Sequence, residues 1–169
     1  MAKHVLYIRM EKYLRQWILH KYGEEPITFP KWSKETDFLQ DHLQRKPKHW
    51  KPVHDESCIA ILVPRREGFY PSTWCYIPYY HLVKLRQMLT SKFLRDFFEF
   101  LATPNPDLPT YKSRIIEFMA RNGIEDDTTN LETLMKIRIR KGHLFEKPTD
   151  INVKANKAHK KRVSLQEPP

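Results

Sequence analysis

The chain has 169 residues, with 30 Lys and Arg against 20 Asp and Glu, a formal charge of +10 and a sequence pI near 9.6. That length suits one domain, or a small domain with a tail, and the charge favours a polyanion or anionic surface as partner. Four glycines in the entire chain argue against a glycine-rich phosphate cradle, and two cysteines against a disulfide scaffold.

His4 to Met10 alternates and is rich in Val, Ile and Tyr, which predicts a short strand. From Glu11 the apolar positions become Tyr13, Leu14, Trp17 and Ile18, the spacing of one helical face, and Gly23 ends that helix. Charges at Lys3, Arg9, Glu11, Lys12 and Arg15 break the N-terminal apolar run. It therefore resembles neither a signal peptide nor a membrane span, and a cytoplasmic protein is expected. Pro26 and Pro30 frame an extended loop, after which Ser33 caps a short helix through Phe38, Leu39 and Leu43.

Arg45 to Val53 is punctuated by Pro47 and Pro52 and reads as a loop. Cys58 to Val63 is a continuous apolar run of strand length, and Thr73 to Ile77 is also β-rich. The charged connection between them is too short and too polar for a crossover helix, so they are expected to pair antiparallel. Cys58 and Cys75 fall on these two strands and read as reduced, buried thiols. After Pro78 comes a long helix, Tyr79 to Leu101, with Leu82, Leu85, Leu89, Phe93 and Phe97 in one stripe. Ser91 is a second capping residue and a candidate break.

Three prolines between Thr103 and Pro109 mark an internal boundary. Beyond it Tyr111, Ile115, Ile116 and Met119 form one helical face, and Leu131, Leu134, Met135 and Ile139 a second. Gly123 lies in the turn, and Thr129 with Glu132 has capping-box spacing. This outline matches a helix-turn-helix. Lys136, Arg138, Arg140 and Lys141 crowd the end of the second helix, while Glu125, Asp126 and Asp127 precede its start. Either the basic end meets DNA, or the pair is a helical hairpin packed on the body with charges placed by the helix dipole. The acidic start disfavours base reading through the first turn.

A second candidate is the loop Arg45, Lys46, Lys48 and Trp50, which interleaves cations with a stacking ring. Its alternative is an exposed loop with Trp50 folded inward. His42, His49, His54 and Cys58 lack the spacing of a metal site, and no nucleophile–base or carboxylate pattern identifies a catalyst. No cofactor is implied.

The segments YLRQWILHKYG (Tyr13 to Gly23) and NGI…LETL…IRIRKG (Asn122 to Gly142) resemble small basic proteins of bacterial mobile elements and prophages. That resemblance implies a DNA-associated or regulatory role and transfers no catalytic residue.

The expected architecture is α+β: an α+β body over residues 1–103, a helix-turn-helix-like pair over 110–145, and a disordered basic tail over 146–169. A small antiparallel sheet (near 4–10, 58–63 and 73–77) is packed with helices. The expected function is non-catalytic DNA binding, with DNA favoured over RNA and a homodimer as the plausible assembly, because a single reading unit holds duplex weakly. The alternative is a protein–protein interaction module presenting Trp17, Trp32, Trp50, Tyr79 and Tyr80.

Overall fold

The computed structural model describes residues 4–52 and 54–145; the segment expected to form a basic tail lies outside the described residues. The fold is α+β, with five α-helices around a two-stranded antiparallel sheet. Strand β1 (Val5–Arg9) alternates, burying Leu6 and Ile8. Strand β2 (Cys58–Leu62) is buried along almost its full length, as its unbroken apolar run predicts. Their register sets Tyr7 opposite Ala60. On its other edge β2 meets the extended segment at Ile27, whose N–H donates to the Ala60 carbonyl at 2.9 Å. The Leu62 N–H donates back to Ile27 at 2.8 Å.

The expected hairpin between Cys58–Val63 and Thr73–Ile77 does not form. The Thr73 and Trp74 N–H groups both donate to the Tyr70 carbonyl, at 3.0 and 2.9 Å, which coils the chain into a turn. Only Tyr76 lies extended, and its partner is Gln44, through bonds of 2.8 and 3.3 Å. Strand β1 takes the place beside β2 instead. Cys58 and Cys75 are both free and buried.

Helix α1 (Lys12–Tyr22) buries the four residues its spacing selects and ends at Gly23, where a φ of +93° suits a residue without Cβ. Helix α2 (Lys34–His42) is capped by Ser33, whose hydroxyl accepts from the Thr36 N–H at 3.2 Å. Helix α3 (Tyr79–Ala102) runs unbroken past Ser91, because its apolar stripe continues through Phe93, Phe97 and Leu101. Trp17 of α1 meets Phe93 edge-on at 5.5 Å. Helix α4 (Tyr111–Arg121) completes the cluster through Phe118, 5.1 Å from Phe97. Truncating such a ring costs about 3–5 kcal/mol, so this cluster is the mechanical centre of the fold.

Helix α5 (Thr128–Lys141) starts two residues earlier than the capping-box spacing predicts. Its cap is Asp127, whose carboxylate accepts from the Asn130 N–H at 2.7 Å, not Thr129. A short 3-10 turn, Gly142–Leu144, follows. Ile115, Phe118, Met119, Ile124 and Leu134 belong to the same buried cluster as the residues of α1 and α3. Among the described residues, no helix is long and apolar enough to cross a membrane.

Candidate nucleic-acid interface

Six residues, Asn122 to Asp127, separate α4 from α5, and Gly123 takes a φ of +64° there. A Cβ on Gly123 would come 2.8 Å from His20 Nδ1, so the turn lies directly against α1. Polar contacts lock it there. The Lys12 ammonium bridges Glu125 and Asp127 at 2.7 and 2.6 Å. Asn130 is 1% exposed, and its amide donates to Gln16 Oε1 and to the Glu125 carbonyl, each at 3.0 Å. Hydrogen bonding to Lys12 holds both carboxyls below the usual range. The first turn of α5 is therefore occupied by α1.

The far end of α5 differs. Arg140 is exposed, and among the described residues neither it nor Arg138 nor Lys141 makes an ion pair. The Arg138 guanidinium lies 3.4 Å from the centroid of the Tyr111 ring, a cation–π contact that holds its fork in place while leaving the charge unneutralised. Lys136 pairs with Glu132 at 3.1 Å, one helical turn back. Both partners are exposed, and such a pair is worth so little that a phosphate can replace the carboxylate. Ile139 stands exposed among these cations. The apolar position predicted for it is lost because α5 leaves the core after Ile137.

The second predicted cluster forms a separate surface. Arg45, Lys46 and Lys48 are exposed and make no ion pair among the described residues. The Lys46 N–H donates to the Thr73 carbonyl at 2.8 Å, which fixes the start of the segment. Trp50 is half-buried and meets Tyr76 edge-on at 5.6 Å, with the Lys46 ammonium 6.0 Å from its ring. It helps line a pocket of 430 Å³ beside Tyr79, Leu82 and Arg86 near the start of α3. Phe145, just past α5, stacks instead on Phe98 near the other end of α3, at 4.3 Å. At 1.5 Å per residue these two anchor points lie roughly 24 Å apart along α3. The structure does not merge the two predicted basic clusters.

Other sequence candidates disperse. His42 packs on His81 at 4.0 Å and His54 on Tyr7 at 4.7 Å, so neighbours in sequence have separate surroundings. No group of three or more His, Cys, Asp or Glu is placed to hold a metal ion among the described residues. Burial pushes the Cys58 thiol up, the opposite of what an activated nucleophile needs. Arg66 closes a tight turn with Phe69 and donates to the Gln40 carbonyl at 2.9 Å. Trp17 is buried and cannot belong to an exposed aromatic surface, whereas Tyr79 and Tyr80 are exposed.

Trp32, expected in an aromatic interaction surface, is exposed and lies at a groove outside both predicted basic clusters. A groove of 1020 Å³ between α2 and residues 64–72 is lined by Trp32 and Tyr70, both largely exposed. No family model matches this chain, and no curated protein or solved structure matches it either.

Proposed function

We propose that this is a non-catalytic, cytoplasmic DNA-binding protein that grips the phosphate backbone through the C-terminal end of α5. The observation that supports this reading is the division of charge along that helix. Glu125 and Asp127 at its acidic start pair with Lys12, while the exposed Arg140 and the half-buried Arg138 and Lys141 have no carboxylate partner among the described residues. Backbone contact rather than base reading follows, because the acidic turn before α5 is tied to α1 through Lys12, and Asn130 in its first turn is spent on Gln16. Arg45, Lys46 and Lys48 would add a separate phosphate contact. In this reading the protein acts as a regulator or accessory factor of a mobile element or prophage, a role favoured by the resemblance of residues 13–23 and 122–142 to small basic proteins of such elements.

A gel-shift series with duplex DNA tests the reading. Each neutralised phosphate contributes about −0.9 to the slope of log K against log salt. The four α5 cations alone contribute a slope of about −3.6, a roughly hundredfold loss between 50 and 200 mM salt, and the contact of Arg45, Lys46 and Lys48 steepens it further. A homodimer would double the slope, and sedimentation at the same protein concentration would show it. Binding that ignores salt would favour the competing reading, an interaction module that uses the exposed Tyr79 and Tyr80.

A further inference from the structure

The groove beside α2 has a physical signature of its own. Pro30 to Ser33 forms a reverse turn, closed by the Ser33 N–H donating to the Pro30 carbonyl at 3.2 Å. Trp32 occupies its third position with a φ of +66°. That position favours Gly or Asn, because positive φ strains a bulky L-residue. Packing does not repay the strain, since the Trp32 side chain is 91% exposed. The turn holds a large aromatic face in solvent at a cost to the fold, and strain of this kind collects at binding sites.

The rest of the groove fits a particular ligand. Tyr70, 77% exposed, supplies a second aromatic face. Phe29, Leu39 and Val63 supply an apolar floor. Lys31 and Arg65 line it and make no ion pair among the described residues, and Asp37 is the carboxylate on its wall. At 1020 Å³ it lies at the upper end of the range for ligand sites, which leaves room for more than one base of an extended chain. Aromatic faces flanked by cations bind bases and phosphates of unpaired strands, because bases inside a duplex have no free face.

We propose that this groove binds single-stranded nucleic acid, with bases stacked on Trp32 and Tyr70 and phosphates beside Lys31 and Arg65. The site is separate from the duplex contact of α5, although both rest on a nucleic-acid partner. Fluorescence anisotropy of the full chain with labelled oligothymidylate and oligouridylate of about twelve nucleotides tests it, within the site sizes known for such grooves. Trp32→Gly and Tyr70→Ala should each weaken oligonucleotide binding roughly 5- to 150-fold, the range for loss of one stacked base. Trp32→Phe should retain most of it. Trp32→Gly should also raise Tm, since glycine accepts the left-handed turn, so lost binding cannot be ascribed to unfolding. Arg138→Ala with Arg140→Ala should weaken duplex binding and leave oligonucleotide binding within about twofold, a separation expected of independent sites.

Preference between the thymidylate and uridylate probes assigns the sugar, and binding of either one supports the site. The proposal is overturned if neither probe binds the wild type, or if Trp32→Gly binds as wild type does. It is equally overturned if a proline-rich peptide binds in a Trp32-dependent way and the oligonucleotides do not. Failure of the wild type to bind duplex, or duplex binding unchanged by Arg138→Ala with Arg140→Ala, would sink the α5 reading and leave this one standing if the groove still binds the oligonucleotides.

Discussion

Replacing Asn130 with Ala separates the two uses to which the start of α5 can be put. In a base-reading helix an amide in the first turn would meet DNA, and its removal would cost affinity while sparing stability. Here the amide is 1% exposed and donates at 3.0 Å to both Gln16 Oε1 and the Glu125 carbonyl. Each bond contributes about 0.5–1.5 kcal/mol, and stranding the acceptors adds a desolvation cost. Alanine's better helix propensity returns about 0.5 kcal/mol. The net loss is about 2 kcal/mol, or roughly 4–8 °C in Tm for a domain of this size. Thermal unfolding by circular dichroism measures the first quantity, and a gel shift measured well below Tm the second. A Tm within 1 °C of wild type together with weakened DNA binding would refute the docking argument and return the first turn of α5 to the DNA.

Three further outcomes follow from the ion pairs and the basic end of α5. Lys92 donates to Glu35 and to the Tyr22 hydroxyl, both at 2.8 Å, and Glu35 is buried. Lys92→Met should therefore cost about 2–4 kcal/mol in urea unfolding, whereas the double change Lys92→Met with Glu35→Leu should recover part of it. Lys12 holds the folded-state pKa of Asp127 and Glu125 below their unfolded values. Stability from this bridge is thus present above the unfolded pKa near 4 and lost as pH falls through the folded values. The Tm gap between wild type and Lys12→Met should be open at pH 7 and close as pH falls below about 4 through the folded values. Arg138→Ala with Arg140→Ala should lower Tm by no more than about 4 °C, because neither side chain makes an ion pair among the described residues and the lost Arg138–Tyr111 contact costs about 0.5–1 kcal/mol.

Local chemistry was readable and remote pairing was not. Ser33 and Gly23 announce helix ends because a cap and a positive φ are properties of a few consecutive residues. The stripe from Leu85 to Leu101 likewise declares α3, and its continuity outweighs Ser91 as a stop. The partner of Cys58–Leu62 is some fifty positions away, and only the folded register identifies it as Val5–Arg9. Residues 73–77 have strand-like composition, yet two hydrogen bonds to the Tyr70 carbonyl turn the chain before a ladder can start. Asp127 was visible as a charge suited to the dipole, while its role as cap depended on where the turn placed its carboxylate.

The candidate site divides in the same way. The run Lys136 to Lys141 is legible as a basic helix end, and the docking of the other end on Gln16 and Lys12 is tertiary. Trp32 reads in sequence as one member of a candidate aromatic interaction surface. Its meaning lies in a backbone angle and an exposure that composition does not encode, although Pro30 two residues earlier hints at a turn.

The central claim is that the outward-facing basic end of α5 holds duplex DNA by its backbone. Its most direct test is the salt dependence of duplex affinity for the wild type and for Arg138→Ala with Arg140→Ala. A wild-type slope of about −3.6 or steeper that becomes shallower by about 1.8 in the variant is the predicted result. A slope that is flat, or unchanged by the two substitutions, would contradict it.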